Sequence, residues 1–390
     1  MDFELSDEQR QLADSLERLL AQQYDIEQRR AIIASADGFS AAMWARFAEL
    51  GILGLPVSEQ AGGFGGGAVD LMRPMALLGD ALVVEPVLAQ LVAARLLDRS
   101  LPAGDGDSRK AAGDALQGAI TGERRIAWAR ASAHDDGPCS ATRDGDGWLL
   151  EGRCTGVTGG AGADWLLVET GSGGPADEAD AAVFLLPAST PGIELRAVRA
   201  LDDQRVADLR IGGVRAQAAQ RLASGKAARE ALEDAGDFAS ALLAAEAVGL
   251  VDFACRTTLE YLKTRKQFGT TIGSFQALQH RIVDLFVELE QVRSVAALAC
   301  SKVDAAAAGQ VSAAERAKAV AAARVLVGKA ADKVAQESVQ LHGGMGMAEE
   351  LKISHTFKRL TMLARQFGDV DHFIDRFVAA DRQLGDSAGG

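Results

Sequence analysis

The sequence predicts a mainly α fold interrupted by a central β-domain. Residues 1–120 place apolar side chains at helical spacing. Residues 121–223 switch to short apolar runs and alternating stretches between glycine-rich turns. Residues 224–390 return to long helical periodicity. A chain of 390 residues is too long for one simple core. The three blocks are therefore expected as an N-terminal helical domain, an antiparallel β-domain and a C-terminal four-helix bundle.

Ser6, followed by Asp7-Glu8-Gln9, marks the first helix start. The hydroxyl can accept from free N–H groups, and the acids suit the positive end of the helix dipole. Leu12, Leu16, Leu19 and Leu20 form its apolar stripe. A second helix carries Met43, Trp44, Phe47 and Leu50 and stops at Gly51. The glycine-rich stretch from Glu59 to Gly67 lacks the lysine and Ser/Thr of a phosphate-binding loop, so it reads as a plain loop. Helical patterns run from Leu71 to Leu97, with breaks expected at Pro74 and Pro86, and Leu101–Asp107 is turn-rich.

In the middle block, Asp144 to Leu150 reads as a hairpin tip entering a strand. Trp165–Val168 and Val183–Leu186 are strand-like, Gly171–Asp180 is a polar loop, and Ala207–Ile211 alternates as a half-buried strand does. In the last block one amphipathic segment spans Asp237 to Arg265. A second starts at Gln276, with Leu278, Ile282, Leu285, Leu289 and Val292 in coiled-coil-like spacing. A third passes through the alanine-rich stretch to about Leu341, and a fourth ends the chain.

The chain is 48% hydrophobic and 24% charged, the balance of a folded soluble protein. Its net charge of −13 disfavours nucleic acid and anionic membranes as general partners, but leaves room for an anionic ligand in a local basic pocket. Met1-Asp2-Phe3-Glu4 is acidic and unlike a signal peptide, and no run of about 18 apolar residues suggests a membrane span. Cys139, Cys154, Cys255 and Cys300 are widely spaced, which fits buried free thiols in a reducing cytoplasm. His280, His342, His355 and His372 lie far apart in sequence, and no metal site is expected.

Arg265-Lys266-Gln267-Phe268-Gly269, followed by Phe275-Gln276, concentrates a permanent cation, amides, rings and a glycine. A guanidinium fork suits a phosphate, and glycine permits close approach. A helix C-terminus with a basic last turn and a glycine stop is the structural alternative.

These residues, in this order, resemble the acyl-CoA dehydrogenase family of flavoproteins over nearly the whole chain. The resemblance is carried by Glu49-Leu50-Gly51 through Leu55-Pro56 and Gly62-Gly63; by Gly147–Gly152 through Ala163-Asp164; and by Leu201-Asp202-Asp203-Gln204-Arg205. Its strongest pieces are Ala244–Gly249, the Arg265–Gln276 stretch and Gln340-Leu341-His342-Gly343-Gly344-Met345-Gly346. It implies a three-domain subunit with a barrel-like middle domain, FAD, an acyl-CoA substrate, electron-transfer flavoprotein as acceptor, and assembly through the C-terminal bundle. It assigns Arg265 to the pyrophosphate of a neighbouring subunit's FAD and Phe268 to its adenine end. Gln267, Gly269, Gln276, Gln340, Gly343 and Gly344 join that cofactor set, and Thr158 is matched to a flavin hydrogen bond.

The resemblance fails at the base. The family abstracts the α-proton of the thioester with a glutamate, placed either in a turn before the last helix or on the first bundle helix. Here those positions hold Phe367 and Ala239. Asp369 is the weak substitute, and Glu246 and Asp371 read better as structural acids. The flavin-ring segment is also altered, to Trp128-Ala129-Arg130-Ala131-Ser132. The Phe367–His372 ending resembles the glutamate-lacking subunits of bacterial heterotetrameric dehydrogenases acting on steroid or other bulky acyl-CoA esters. The expected role is thus a partner subunit in an α2β2 complex with a homologous catalytic subunit. Two alternatives stand beside it: a self-sufficient homo-oligomer using Asp369 as base, and a non-catalytic binding or structural member.

Overall fold

A computed structural model describes residues 6–101, 106–130, 135, 139–171 and 181–388. The expectations for residues 1–4, 102–105, Ala131, Ser132 and 172–180 lie outside the described residues.

The helices α1 (Asp7–Gln23), α2 (Ile26–Ala34) and α3 (Ala41–Glu49) come first, then α4 (Ala68–Ala81), α5 (Val87–Arg99) and α6 (Asp107–Ile120). Strands β1 (Ile126–Ala129), β2 (Ser140–Asp144), β3 (Gly147–Thr158) and β4 (Trp165–Thr170) follow. They continue as β5 (Ala182–Pro187), β6 (Ile193–Arg199), β7 (Arg205–Ala216) and β8 (Arg221–Ser224). The remainder is α7 (Gly225–Thr264), the short strands β9 (Lys266–Gln267) and β10 (Thr270–Thr271), α8 (Gln276–Ala307), α9 (Ala313–His342), α10 (Lys352–Leu363) and α11 (Val370–Ala388).

By contacts the chain groups into two compact units. One comprises Met1–Ala34, Gly67–Val83 and Ser240–Gly390; the other comprises Ser35–Gly66 and Val84–Ala239. The division falls inside α7.

The second unit holds two four-stranded sheets, ordered β1-β4-β5-β8 and β2-β3-β7-β6. Leu150, Cys154, Leu166, Phe184, Leu186, Leu209 and Ile211 belong to one buried cluster of this β region. The β2–β3 hairpin turns where the sequence predicts it, with Asp144 opposite Gly147 and Gly145 at φ 59° in the first central position. The β-domain departs from a purely antiparallel reading, because β1 runs parallel to β4 with Ile126 opposite Trp165. β2 and β3 lie between β1 and β4 in the sequence, so no tight turn joins the pair and nothing forces the antiparallel sense. Beside the sheets, Arg95 on α5 makes a buried bidentate pair with Asp234 at 2.7 and 3.1 Å, and its guanidinium stacks 4.4 Å from the Phe238 ring.

The first unit is helical. Ser6 caps α1 in a capping box with Gln9. Asp304, in the last turn of α8, accepts from the Ala68 and Val69 N–H groups at 2.7 and 2.8 Å and so caps α4. Pro74 does not break α4. It lies inside the helix, which the burial of Leu71, Met75 and Leu78 carries through the missing N–H. Pro86 does act as expected, at the N-cap of α5. Gly249 of α7 lies so close to α4 that a Cβ there would sit 1.8 Å from the Ala76 carbonyl oxygen, which restricts the position to glycine.

One expectation about the last block needs correction. A fourth closing helix is in fact two, α10 and α11, separated by a turn with Phe367 at φ 64° and Gly368 at φ 136°, conformations no helix continues through. Length and composition alone would let α7 cross a membrane. The most apolar window of α7 is 83% buried within the protein, so its apolarity belongs to a core helix.

Glu246 of α7 is 7% exposed and takes Arg359 of α10 at 2.6 and 2.8 Å. Arg359→Ala should cost about 3–5 kcal/mol in urea unfolding, because it strands a buried carboxylate. The double replacement Glu246→Met with Arg359→Leu should recover most of that loss; a single-variant loss below about 1 kcal/mol would contradict the assignment.

Candidate functional site

The site is built from two helix ends. α7 stops at Thr264, and the Arg265 N–H still bonds the Tyr261 carbonyl at 2.9 Å. The chain then folds into the β9–β10 hairpin, with Gln267 opposite Thr270. Phe268 and Gly269 form its turn at φ 54° and 81°. Two successive positive φ values are what a tight two-residue hairpin requires. Gly269 is therefore a hairpin glycine rather than a helix stop, and Phe268 takes a conformation uncommon for a bulky residue. Gly273 returns the chain against α7, where a Cβ would sit 2.8 Å from the Leu262 carbonyl oxygen. At the tip, the Phe268 ring is 91% exposed and meets Phe275 edge-on at 6.2 Å.

The second end is that of α9. Gly343 caps it at φ 62°, and its N–H bonds the Gln340 carbonyl. A Cβ added at Gly343 or Gly344 would meet nothing within 4 Å, so this backbone lies open. The His342 Nδ1 lies 2.8 Å from the Ser338 carbonyl and donates to it. Its ring stacks on Tyr261 with centroids 4.5 Å apart and planes 26° from parallel. That stack joins the two ends, since Tyr261 precedes Arg265 by one helical turn and His342 precedes Gly343. Burial lowers the His342 pKa, only partly opposed by the Ser338 hydrogen bond, so the ring is neutral at physiological pH.

Arg265, Gln267, Gln276, Gln340, Gly343 and Gly344 are all exposed, and Gln276 is the first residue of α8. Among the described residues the Arg265 guanidinium has no ion pair or hydrogen bond. A free cation, side-chain amides and open glycine backbone match the oxygens of a pyrophosphate, and the neighbouring rings suit a flat base. The residues present therefore fit the FAD contact that the resemblance assigns to them.

The carboxylates weighed as bases have other engagements. Both Glu246 oxygens are held by Arg359. Asp369 is exposed, and its Oδ1 accepts the His372 N–H at 2.9 Å, capping α11. Asp371 is exposed in the first turn of α11. Ala239 is wholly buried in α7 and presents only a methyl group. Phe367 sits half-buried in the α10–α11 turn. The fully buried Arg324 of α9 secures that turn, its Nη2 donating to the Leu363 and Gln366 carbonyls at 3.1 and 2.9 Å. Burial first, and repulsion from Arg359 second, lower the Arg324 pKa to about 10, so it stays charged at neutral pH.

In the other unit, Thr158 is the last residue of β3, paired with Val206 and half-buried. Sequence reading gives no sign of Tyr261 as the bridge between the motifs, and it leaves His342 among unremarkable histidines. It also passes over Glu169 of β4, whose Oε2 is buried and whose carboxyl is held above the usual range by burial, against the pull of Arg130 and Trp128.

Two family models match the sequence: acyl-CoA dehydrogenase, N-terminal domain, over residues 6–94, and acyl-CoA dehydrogenase, C-terminal domain, over residues 237–369. Among curated relatives, acyl-CoA dehydrogenase FadE27 of Mycobacterium tuberculosis is 27% identical over 398 residues, covering 100% of this chain and 95% of that protein. Acyl-CoA dehydrogenase FadE12 of the same species is 30% identical over 354 residues, covering 83% of each. The ChsE4–ChsE5 complex of M. tuberculosis superimposes with a TM-score of 0.85 at 26% identity, covering 99% of both chains. The FAD complex of PigA gives 0.85 at 25% identity, again covering 99% of both.

The lowered His342 pKa carries a pH signature. The unfolded imidazole binds its proton near 6.5 while the folded one resists, so this part of the stability is complete above 6.5 and is lost as the pH falls below it. His342→Phe keeps a ring on Tyr261 and should flatten the stability-versus-pH curve below 6.5, as read from urea unfolding midpoints. Identical slopes in the two proteins would remove His342 from this account.

Proposed function

Because the chain belongs to the acyl-CoA dehydrogenase family of FAD-dependent oxidoreductases, we propose that it is the partner subunit of a heteromeric dehydrogenase, completing an FAD site in a homologous, glutamate-bearing subunit. One contrast carries this reading. The residues that match a phosphate are exposed, whereas the two positions where the family keeps its base hold Phe367 and Ala239. The likeness to a chain of the ChsE4–ChsE5 complex supports it.

FAD, when bound, supplies the hydride acceptor for α,β-dehydrogenation of a CoA thioester. In this chain Arg265 would neutralise pyrophosphate charge, and Gln267 and Gln340 would donate amide hydrogen bonds. The open backbone at Gly343-Gly344 allows close approach. Phe268 would lie at the adenine end, and Gln276, at the N-terminus of α8, would join the same cofactor set. Thr158 is assigned a flavin hydrogen bond, and Phe367 can accept no proton in the place of the base. The acyl group is read as branched or ring-bearing and the electron acceptor as electron-transfer flavoprotein, both from the family resemblance, with the cytoplasm as the setting.

Co-expression with a homologous subunit that carries the glutamate should yield a stable complex, with activity that neither chain shows alone. A pure homo-oligomer of this chain, active and holding one FAD per subunit, would exclude the partner role. Arg265→Ala should lower FAD retention in the complex by at least about tenfold, the scale of a lost charge-assisted hydrogen bond, while the circular dichroism of this subunit stays unchanged. Asp369→Asn keeps the helix cap and should leave the activity of the complex unchanged. A large fall in turnover with folding intact would reinstate Asp369 as a base.

A further inference from the structure

The thiols of Cys139 and Cys154 lie 3.6 Å apart inside the β region, and both are fully buried. Their proximity has a specific cause in the β2–β3 pairing. Ser140 stands opposite Glu151, so the register carried back one residue sets Cys139 across from Gly152. Residues 152 and 154 share one face of β3, because alternate strand residues point the same way. Gly152 has no side chain on that face; a Cβ there would fall 2.7 Å from the Cys139 Sγ. The Cys139 side chain lies in the space Gly152 leaves, and reaches the diagonal neighbour Cys154.

We propose that Cys139 and Cys154 form a peroxide-oxidisable dithiol, a modification site within the β-domain that closes to a disulfide. The Cys139 thiolate attacks one peroxide oxygen, breaking the O–O bond and releasing the other oxygen as water once protonated. This leaves a sulfenic acid on Cys139. Cys154 then attacks that sulfur, the S–O bond breaks, and the oxygen leaves as a second water. Two thiols lose two hydrogens and one peroxide is reduced.

The division of labour follows from the contact. The hydrogen bond between the two sulfurs lowers the Cys139 pKa, against burial, and raises that of Cys154, with burial adding to the latter, so Cys139 is the more readily ionised thiol of the pair. Burial selects a small neutral oxidant over a bulky or charged one. Cys255, its thiol pushed up to about 12 chiefly by burial, and Cys300, also raised by burial, bond to backbone carbonyls and have no thiol neighbour among the described residues, so they stay reduced.

The full chain would be treated with hydrogen peroxide, blocked with iodoacetamide, and mapped by non-reducing peptide mass spectrometry. A Cys139–Cys154 cross-linked peptide lacking two hydrogens, abolished by dithiothreitol, is the expected result. Cys154→Ser, a near-isosteric change, should stop the reaction at a sulfenic acid on Cys139 that dimedone captures. Four reduced cysteines after prolonged peroxide treatment, or over-oxidation of Cys139 with no cross-link in the unaltered chain, would overturn the proposal. So would dimedone labelling of Cys255 or Cys300 in place of Cys139.

Discussion

The bidentate contact between Glu246 and Arg359 fixes α7 against α10, and the outward-facing site hangs from the ends of elements that this contact holds in place. A charge pair at this depth tolerates little movement, since a shift that breaks it leaves two desolvated ions. Arg359 also donates to the Gln366 side chain at 3.2 Å, extending the same restraint into the α10–α11 turn. From the α7 end, the Tyr261–His342 stack carries the order across to α9. The hairpin is thereby a short projection from a braced base, and Arg265 sits where that projection begins.

Local chemistry was legible. The Ser6 capping box, the stop at Gly51 and the Gly145 turn each depend on residues a few positions apart. The block order of helices, strands and helices followed from periodicity alone. What remained hidden was long-range. Nothing around Pro74 announces that burial on both sides of it will hold α4 together. Nothing near Tyr261 or His342 says that 80 intervening residues will return one ring to the other. Cys139 and Cys154 look unrelated until the β2–β3 register is known. The α10–α11 break lay open in part, since Gly368 is visible, but the turn also needs Phe367 at positive φ, which sequence preference argues against.

The candidate site divides the same way. Arg265, Gln340 and the paired glycines are recognisable because phosphate contacts use a narrow set of residue types in short motifs. Proton abstraction needs one carboxylate in one place, and its loss is visible only against a family pattern. Once the geometry is known, Glu246 is accounted for by Arg359 and Asp369 by the cap of α11. The residues that match a phosphate lie at the surface, whereas the two positions where the resemblance expects a base hold Phe367 and Ala239.

The exposure of Phe268 has a further effect on how copies of this protein meet in solution. A ring that is 91% exposed at the end of a stiff hairpin is an adhesive point. A net charge of −13 keeps like molecules apart at low ionic strength. Added salt shortens the reach of that repulsion to about 10 Å at 0.1 M while leaving ring-to-ring attraction intact. Phe268 is one of several exposed apolar side chains, Phe64, Val283 and Met347 among them, whose contact with a second surface added salt leaves less opposed by charge.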